Sequence, residues 1–303
     1  MRSPVHPVPS AGPAADTAQP LKAALWMCGA IVSFTLMAIA GRAVMAELDT
    51  FELMFWRSLM GFFIILPLVL VSARGLAQVR SRQPGLHLTR NVFHFAGQNL
   101  WFYGVATIPL AQLVALEFTM PIWVVLLAPL VLGERLTAHR LGLAAMGFAG
   151  VLVVAQPGVA PLGPGHLAGI LAAVGFAMNV MLTKRIMRHD GVLCVLFWMT
   201  LLQTLFGFAL SFIGGFTWPS AAIMPWLAVA GITGLTAHFS LTLALGMAPA
   251  SVVAPMEFAR LPIIALVAVW LYAEALDPLV FLGAAIIFVA NYLNLRPDRQ
   301  RQS

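Results

Sequence analysis

The sequence predicts an all-α membrane protein of ten transmembrane helices, arranged as two inverted five-helix repeats. Three observations carry that prediction. Hydrophobic residues make up 61% of the 303 positions and charged residues only 9%, far from the balance of a soluble domain. The apolar residues fall in ten long stretches with short polar punctuation. The second set of five stretches echoes the first at a shift of 140 residues.

The stretches, in order, are 22–45, 51–72, 88–107, 110–132, 138–155, 166–186, 192–214, 224–247, 250–272 and 278–295. A hydrocarbon core of roughly 30 Å needs about 20 apolar residues per helix. Helices follow because lipid leaves no partner for open strand edges. Pro67, Pro109, Pro121, Pro129, Pro249, Pro255 and Pro262 fall within or at the ends of stretches, which neighbouring helices can accommodate. Residues 1–21, rich in Pro and Ala, read as a disordered tail; 22–155 form the first repeat, 156–295 the second, and 296–303 a short tail. Cys28 and Cys194 have no metal or redox spacing and read as small core residues.

Of the 17 Lys and Arg, all but Arg42, Arg57 and Arg260 lie in the tails or in loops and helix ends on one side of a ten-span chain. This positive-inside pattern predicts a bacterial inner-membrane protein with both termini cytoplasmic. It accounts for the basic charge and displaces nucleic-acid binding.

The repeat rests on specific matches. Pro109 meets Pro249, Glu117-Phe118 meets Glu257-Phe258, Glu134 meets Glu274, and Ala144, Ala145 and Phe148 meet Ala284, Ala285 and Phe288. Two Glu pairs at one shift are costly to obtain by chance with only 11 acidic residues. Five spans per repeat is odd, so the second copy inserts upside down. Inverted repeats of this kind recur in secondary transporters, with the substrate held near the midplane.

Pro109-Leu110-Ala111, Pro121, Leu132-Gly133-Glu134-Arg135-Leu136 and the run Gly147-Phe148-Ala149-Gly150-Val151 closely resemble the EamA domain of the drug/metabolite transporter superfamily. The second copy has Ala273-Glu274-Ala275-Leu276 at the corresponding place. With Trp56-Arg57-Ser58, the pattern is similar to the subgroup that includes S-adenosylmethionine uptake carriers. The resemblance implies a ten-helix secondary carrier with a central cavity, no ATPase and no metal or other cofactor.

Charges inside the bilayer cost about 2.5–3.5 kcal/mol each on insertion scales, so each needs a partner, water or a function. Glu117 is expected toward one face and Glu257 toward the other. Arg57 shares a depth with Glu117 and could pair with it; Arg260 follows Glu257 by one turn and could pair with that acid. Such pairs could pin helices, or line the cavity and carry substrate contacts and a coupling proton. In span three, Asn91, His94, Gln98 and Trp101 recur at three, four and three residues, along one face. They could bond between helices or line the cavity, as could Asn179 and His238. The candidate pathway residues are therefore Arg57, His94, Gln98, Trp101, Glu117, Asn179, His238, Glu257 and Arg260.

Glu134 and Glu274, near helix ends, read as fold residues. Gly142, Gly147 and Gly150 with Ala145 and Ala149 predict a close helix approach, within one chain or between two. No protease, lipase, nucleotide-binding or metal-diphosphate motif is present. The function expected is transport of a small zwitterionic or amphipathic metabolite, such as an amino acid, by alternating access, by a monomer or homodimer in the lipid bilayer. A membrane enzyme or a non-transporting subunit is the alternative.

Overall fold

The computed structural model describes residues 19–133, 137–156, 162–213, 215–247, 253 and 256–295. Most of both tails, together with Glu134, Arg135, Leu136, Pro249 and Pro255, lies outside the described residues. The helices are α1 (Pro20–Val44), α2 (Thr50–Val71), α3 (Pro84–Thr107), α4 (Leu110–Glu117), α5 (Met120–Leu132), α6 (Ala138–Ala155), α7 (Pro164–Ile186), α8 (Val192–Leu210), α9 (Met224–Met247), α10 (Arg260–Tyr272) and α11 (Pro278–Leu295).

Seven candidate spans among these are long and apolar enough to cross a bilayer, α4 and α5 counting together as one. α3 falls below that threshold although it has 24 residues, because one face carries His87, Arg90, Asn91, His94, Gln98 and Asn99, all buried. Its polar face points into protein. Pro20, Pro84 and Pro164 open α1, α3 and α7, where a missing N–H costs nothing. Asp49 caps α2 in a reciprocal box with Glu52.

The fourth expected span is broken, and so is the described part of the ninth. α4 stops at Glu117, Phe118 and Thr119 form a turn, and α5 restarts at Met120. Met256 and Glu257 are helical, Phe258 and Ala259 turn, and α10 starts at Arg260. Pro121 and Pro262 explain both breaks, since neither can donate to the carbonyl four residues back. The Ile122 amide bonds Thr119 instead of Phe118. The freed Phe118 carbonyl accepts from Asn291 Nδ2 of α11 at 2.9 Å. Asn291→Leu strands that carbonyl in an apolar interior and is expected to lower stability by about 1–3 kcal/mol, read by thermal unfolding in detergent. An unchanged midpoint would show that the carbonyl does not need Asn291.

Helix pairing has two-fold character. α1 packs on α9 and α3 on α7, a couple that exchanges when the halves are swapped; α2 packs on α8 and α6 on α11, each mapping onto itself. This is how an isologous two-fold contact behaves. The breaks meet near its axis, where the Phe118 and Phe258 rings lie 4.3 Å apart.

Glycines set the closest approaches. A Cβ on Gly283 would sit 2.6 Å from the Gly150 carbonyl, and one on Gly175 2.9 Å from Gly97 Cα. The small-residue stripe of α6 therefore divides. Gly147 and Gly150 are buried against the chain itself, whereas Gly142, Ala145 and Ala149 are exposed. Cys194 is buried as expected, but Cys28 is exposed on α1.

Candidate functional site

The polar stripe of α3 becomes a row of inter-helix bonds. Gln98 Oε1 accepts from Arg57 Nη2 of α2 at 2.7 Å. His94 Nδ1 lies 2.7 Å from Gln203 Nε2 of α8; an amide nitrogen only donates, so Nδ1 accepts. Trp101 Nε1 donates to Glu117 Oε2 at 2.8 Å. Asn91 turns back to the His87 carbonyl of its own helix. The His94 ring meets His238 of α9 edge to face at 5.4 Å.

The ion pairs differ from those expected. Glu117 binds Arg260, with Oε1 2.7 Å from Nη2, and Arg57 does not reach it. At Nη2 the contact is an ion pair without well-directed hydrogen-bond geometry. The pairing joins the two repeats because the axis brings the end of α4 against the start of α10. The turn at Phe258 and Ala259 interrupts the helical register on which a Glu257–Arg260 pair depended. Glu257 still acts electrostatically on Arg260, so both acids gather around one guanidinium at the level of the breaks instead of dividing between the faces. The cation also lies over the rings of Phe34 and Phe118.

Arg57 is buried and donates to Gln98 and to Met37 Sδ at 3.3 Å. Among the described residues no carboxylate pairs with it. Arg90, also buried, bonds Thr183 and Asn91, again without a described acid. Asn179 is buried, and its Oδ1 has no hydrogen-bond partner among the described residues.

A small cavity of about 20 Å³ opens beside Arg57, lined by Arg57, Ser58, Gly61, Met199, Thr200, Gln203, Gly231, Gly234, Leu235 and His238. Of the nine residues proposed from sequence, Arg57 and His238 line it. His94 and Gln98 reach it through bonded partners, Trp101, Glu117, Glu257 and Arg260 sit at the helix breaks, and Asn179 stands apart from both. Sequence reasoning missed Ser58, Thr200 and Gln203, although a signal was there. Phe55-Trp56-Arg57-Ser58 matches Phe197-Trp198-Met199-Thr200 at a shift of 142. The same shift carries Gly61 onto Gln203, so the α2 and α8 walls are three pairs of equivalent positions.

Contacts between the halves also close both ends. Where α1 begins, Asp190 before α8 accepts from Ser81 Oγ at 2.6 Å and His87 Nε2 at 2.9 Å, while Trp198 donates to the Val79 carbonyl. Burial works to raise the Asp190 carboxyl, but the bonds from Ser81 and His87 and the neighbouring histidines hold it below the ordinary carboxylate range. At the opposite end, Glu47 accepts from the amide and hydroxyl of Ser220, and Glu52 from the Thr217 amide. There Glu274 also grips Arg42 and the Leu110 amide, joining α1, α4 and the end of α10.

The EamA-like transporter family matches residues 21–156 and 163–296, one copy per repeat. The chain belongs to the EamA-like transporter family. It is accordingly a multi-pass membrane transporter of a small molecule, and not an enzyme. Among similar proteins, a riboflavin transporter of Rhizobium johnstonii is 29% identical over 95% of this chain and 96% of its own. One of Brucella anthropi is 30% identical over 80% of this chain and 87% of its own. An S-adenosylmethionine uptake transporter of Rickettsia felis is 25% identical over 92% and 94%. A solved crystal structure shares the fold with a TM-score of 0.63 at 20% identity, covering 93% of this chain and 99% of its own.

Proposed function

We propose that the chain is a secondary carrier of the inner membrane, with cytoplasmic termini, that moves a small zwitterionic or amphipathic metabolite by alternating access. The observation carrying this reading is the pair of broken helices meeting near a two-fold axis, with a polar cavity between α2, α8 and α9, the kind of construction around which carriers rock. The relatives suggest a heterocyclic cargo, riboflavin or S-adenosylmethionine, ahead of a simple amino acid. The two carboxylates around the single Arg260 cation leave one negative charge for a coupling proton to neutralise. Purified protein in liposomes is expected to show saturable uptake and counterflow of one of these compounds, with accumulation driven by an inward proton gradient. A flux that never saturates would overturn the carrier.

The end contacts supply the gates. Asp190 with Ser81 and His87 fastens the cytoplasmic end, and Glu47 with Ser220 fastens the other. Their release in turn would expose the cavity to one side at a time. With its pKa depressed, Asp190 contributes closure above the ordinary carboxylate value and loses it only as pH falls through the lower folded value, so this gate holds across the neutral range. A cysteine at Ser58, in a chain lacking Cys28 and Cys194, reads out access. Asp190→Ala is expected to raise its labelling from the cytoplasmic side and Glu47→Ala from the other side. Equal labelling from both sides in both variants would sink the gating assignment.

A further inference from the structure

Resting on the carrier reading, we infer that Arg57 and Ser58 form a donor subsite, seating a planar substrate group with two adjacent acceptor atoms, such as a carboxylate or a ring nitrogen beside a carbonyl oxygen.

Three observations converge. Arg57 is 6% exposed and Ser58 4%, both line the cavity, and Arg57 Nε and Ser58 Oγ are buried without a hydrogen-bond partner among the described residues. A guanidinium has five N–H donors in a fixed plane, and among the described residues protein acceptors take up two of them. The wall is electropositive. Arg57 and Arg90 both act on His94 and His238, and among the described residues no acid pairs with either arginine. The opposite wall is cut back by glycine: a Cβ on Gly234 would fall 2.7 Å from Arg57 Nη1.

The repeat adds the strongest argument. The position equivalent to Arg57 is Met199, on the other wall of the same cavity, with Thr200 standing opposite Ser58. The α2–α8 contact thus tolerates an uncharged side chain at this place in one half. Arg57 contributes a charge that packing does not demand, and a buried cation without a counter-ion persists at a cost. A ligand acceptor offsets it. A flat fork favours a planar pair of acceptors over a point charge.

The test sets fold against ligand. Arg57→Met installs the side chain the second repeat already uses. If Arg57 serves the substrate, purified Arg57→Met combined with Gln98→Leu, so that the Gln98 oxygen held by Arg57 is not left unpaired, unfolds at or above the wild-type temperature, whereas a midpoint several degrees lower would make Arg57 a structural brace and overturn the proposal. Ser58→Ala, which removes an unpartnered hydroxyl, is likewise expected to keep the wild-type midpoint.

Ligand stabilisation is then measured with riboflavin, 1-deazariboflavin, S-adenosylmethionine and its decarboxylated form. The compound that stabilises wild type is expected to bind Arg57→Met at least about tenfold more weakly. Its partner lacking the acceptor edge should bind both proteins alike. Loss on replacing the ring nitrogen by carbon identifies the nitrogen and carbonyl pair, and loss on decarboxylation a carboxylate. Equal binding of the intact compound to wild type and Arg57→Met would overturn the subsite even if counterflow succeeds. Failure of counterflow with every solute would instead count against the carrier.

Discussion

Arg260→Met is expected to deplete the folded protein in the membrane and to lower stability by about 3–5 kcal/mol, the usual result of removing one partner from a buried ion pair. Arg260 is 2% exposed and compensates Glu117 directly and Glu257 electrostatically. Without it, two carboxylates face each other in an apolar bundle and at least one must take up a proton. Arg260→Met combined with Glu117→Gln should recover much of the lost stability, because Trp101 can still donate to the amide oxygen. A double-mutant cycle by thermal unfolding measures the recovery. Strictly additive losses would mean that the pair does not join the repeats. Transport separates structure from function at the same place: Glu117→Gln and Glu257→Gln with normal protein level and normal uptake would remove both acids from the transport cycle.

The second large effect is steric. Gly283→Leu places a side chain where even a Cβ meets the Gly150 carbonyl and Val154 Cγ2 at 2.6 Å. A backbone carbonyl cannot rotate away as a side chain can, so α6 and α11 must separate. Overpacking of this kind costs about 1–3 kcal/mol and more when backbone moves. Gly142→Leu is the matched control, since nothing lies within 4 Å of its Cβ position. Membrane protein level and monodispersity in detergent should fall for the first and hold for the second. Equal behaviour would mean that the two helices do not touch as described.

Much of the fold was legible in the sequence because bilayer thickness turns composition into helix count. The Glu117-Phe118 and Glu257-Phe258 matches already marked where the repeats align, and Pro121 and Pro262 carried the cause of both breaks. What was missed was their consequence. Once a helix breaks, spacing along it no longer says which side chains meet, so Glu257 and Arg260 were paired on a register that does not exist. The cavity was harder to see, because two of its walls align at a shift of 142 instead of 140 and the third is cut back by Gly231 and Gly234, which announce nothing about what they make room for.

The sequence by itself determined the membrane class, the ten stretches, the repeat and the family resemblance, since each depends on patterns local to a span or repeated between spans. Only the tertiary structure decided the partners: Glu117 with Arg260 across the halves, Arg57 with Gln98 and without a described acid, Asp190 and Glu47 at opposite ends. The reason is geometric. Depth in a bilayer is written along the chain, but the angle at which each helix faces its neighbours is fixed only when all of them pack.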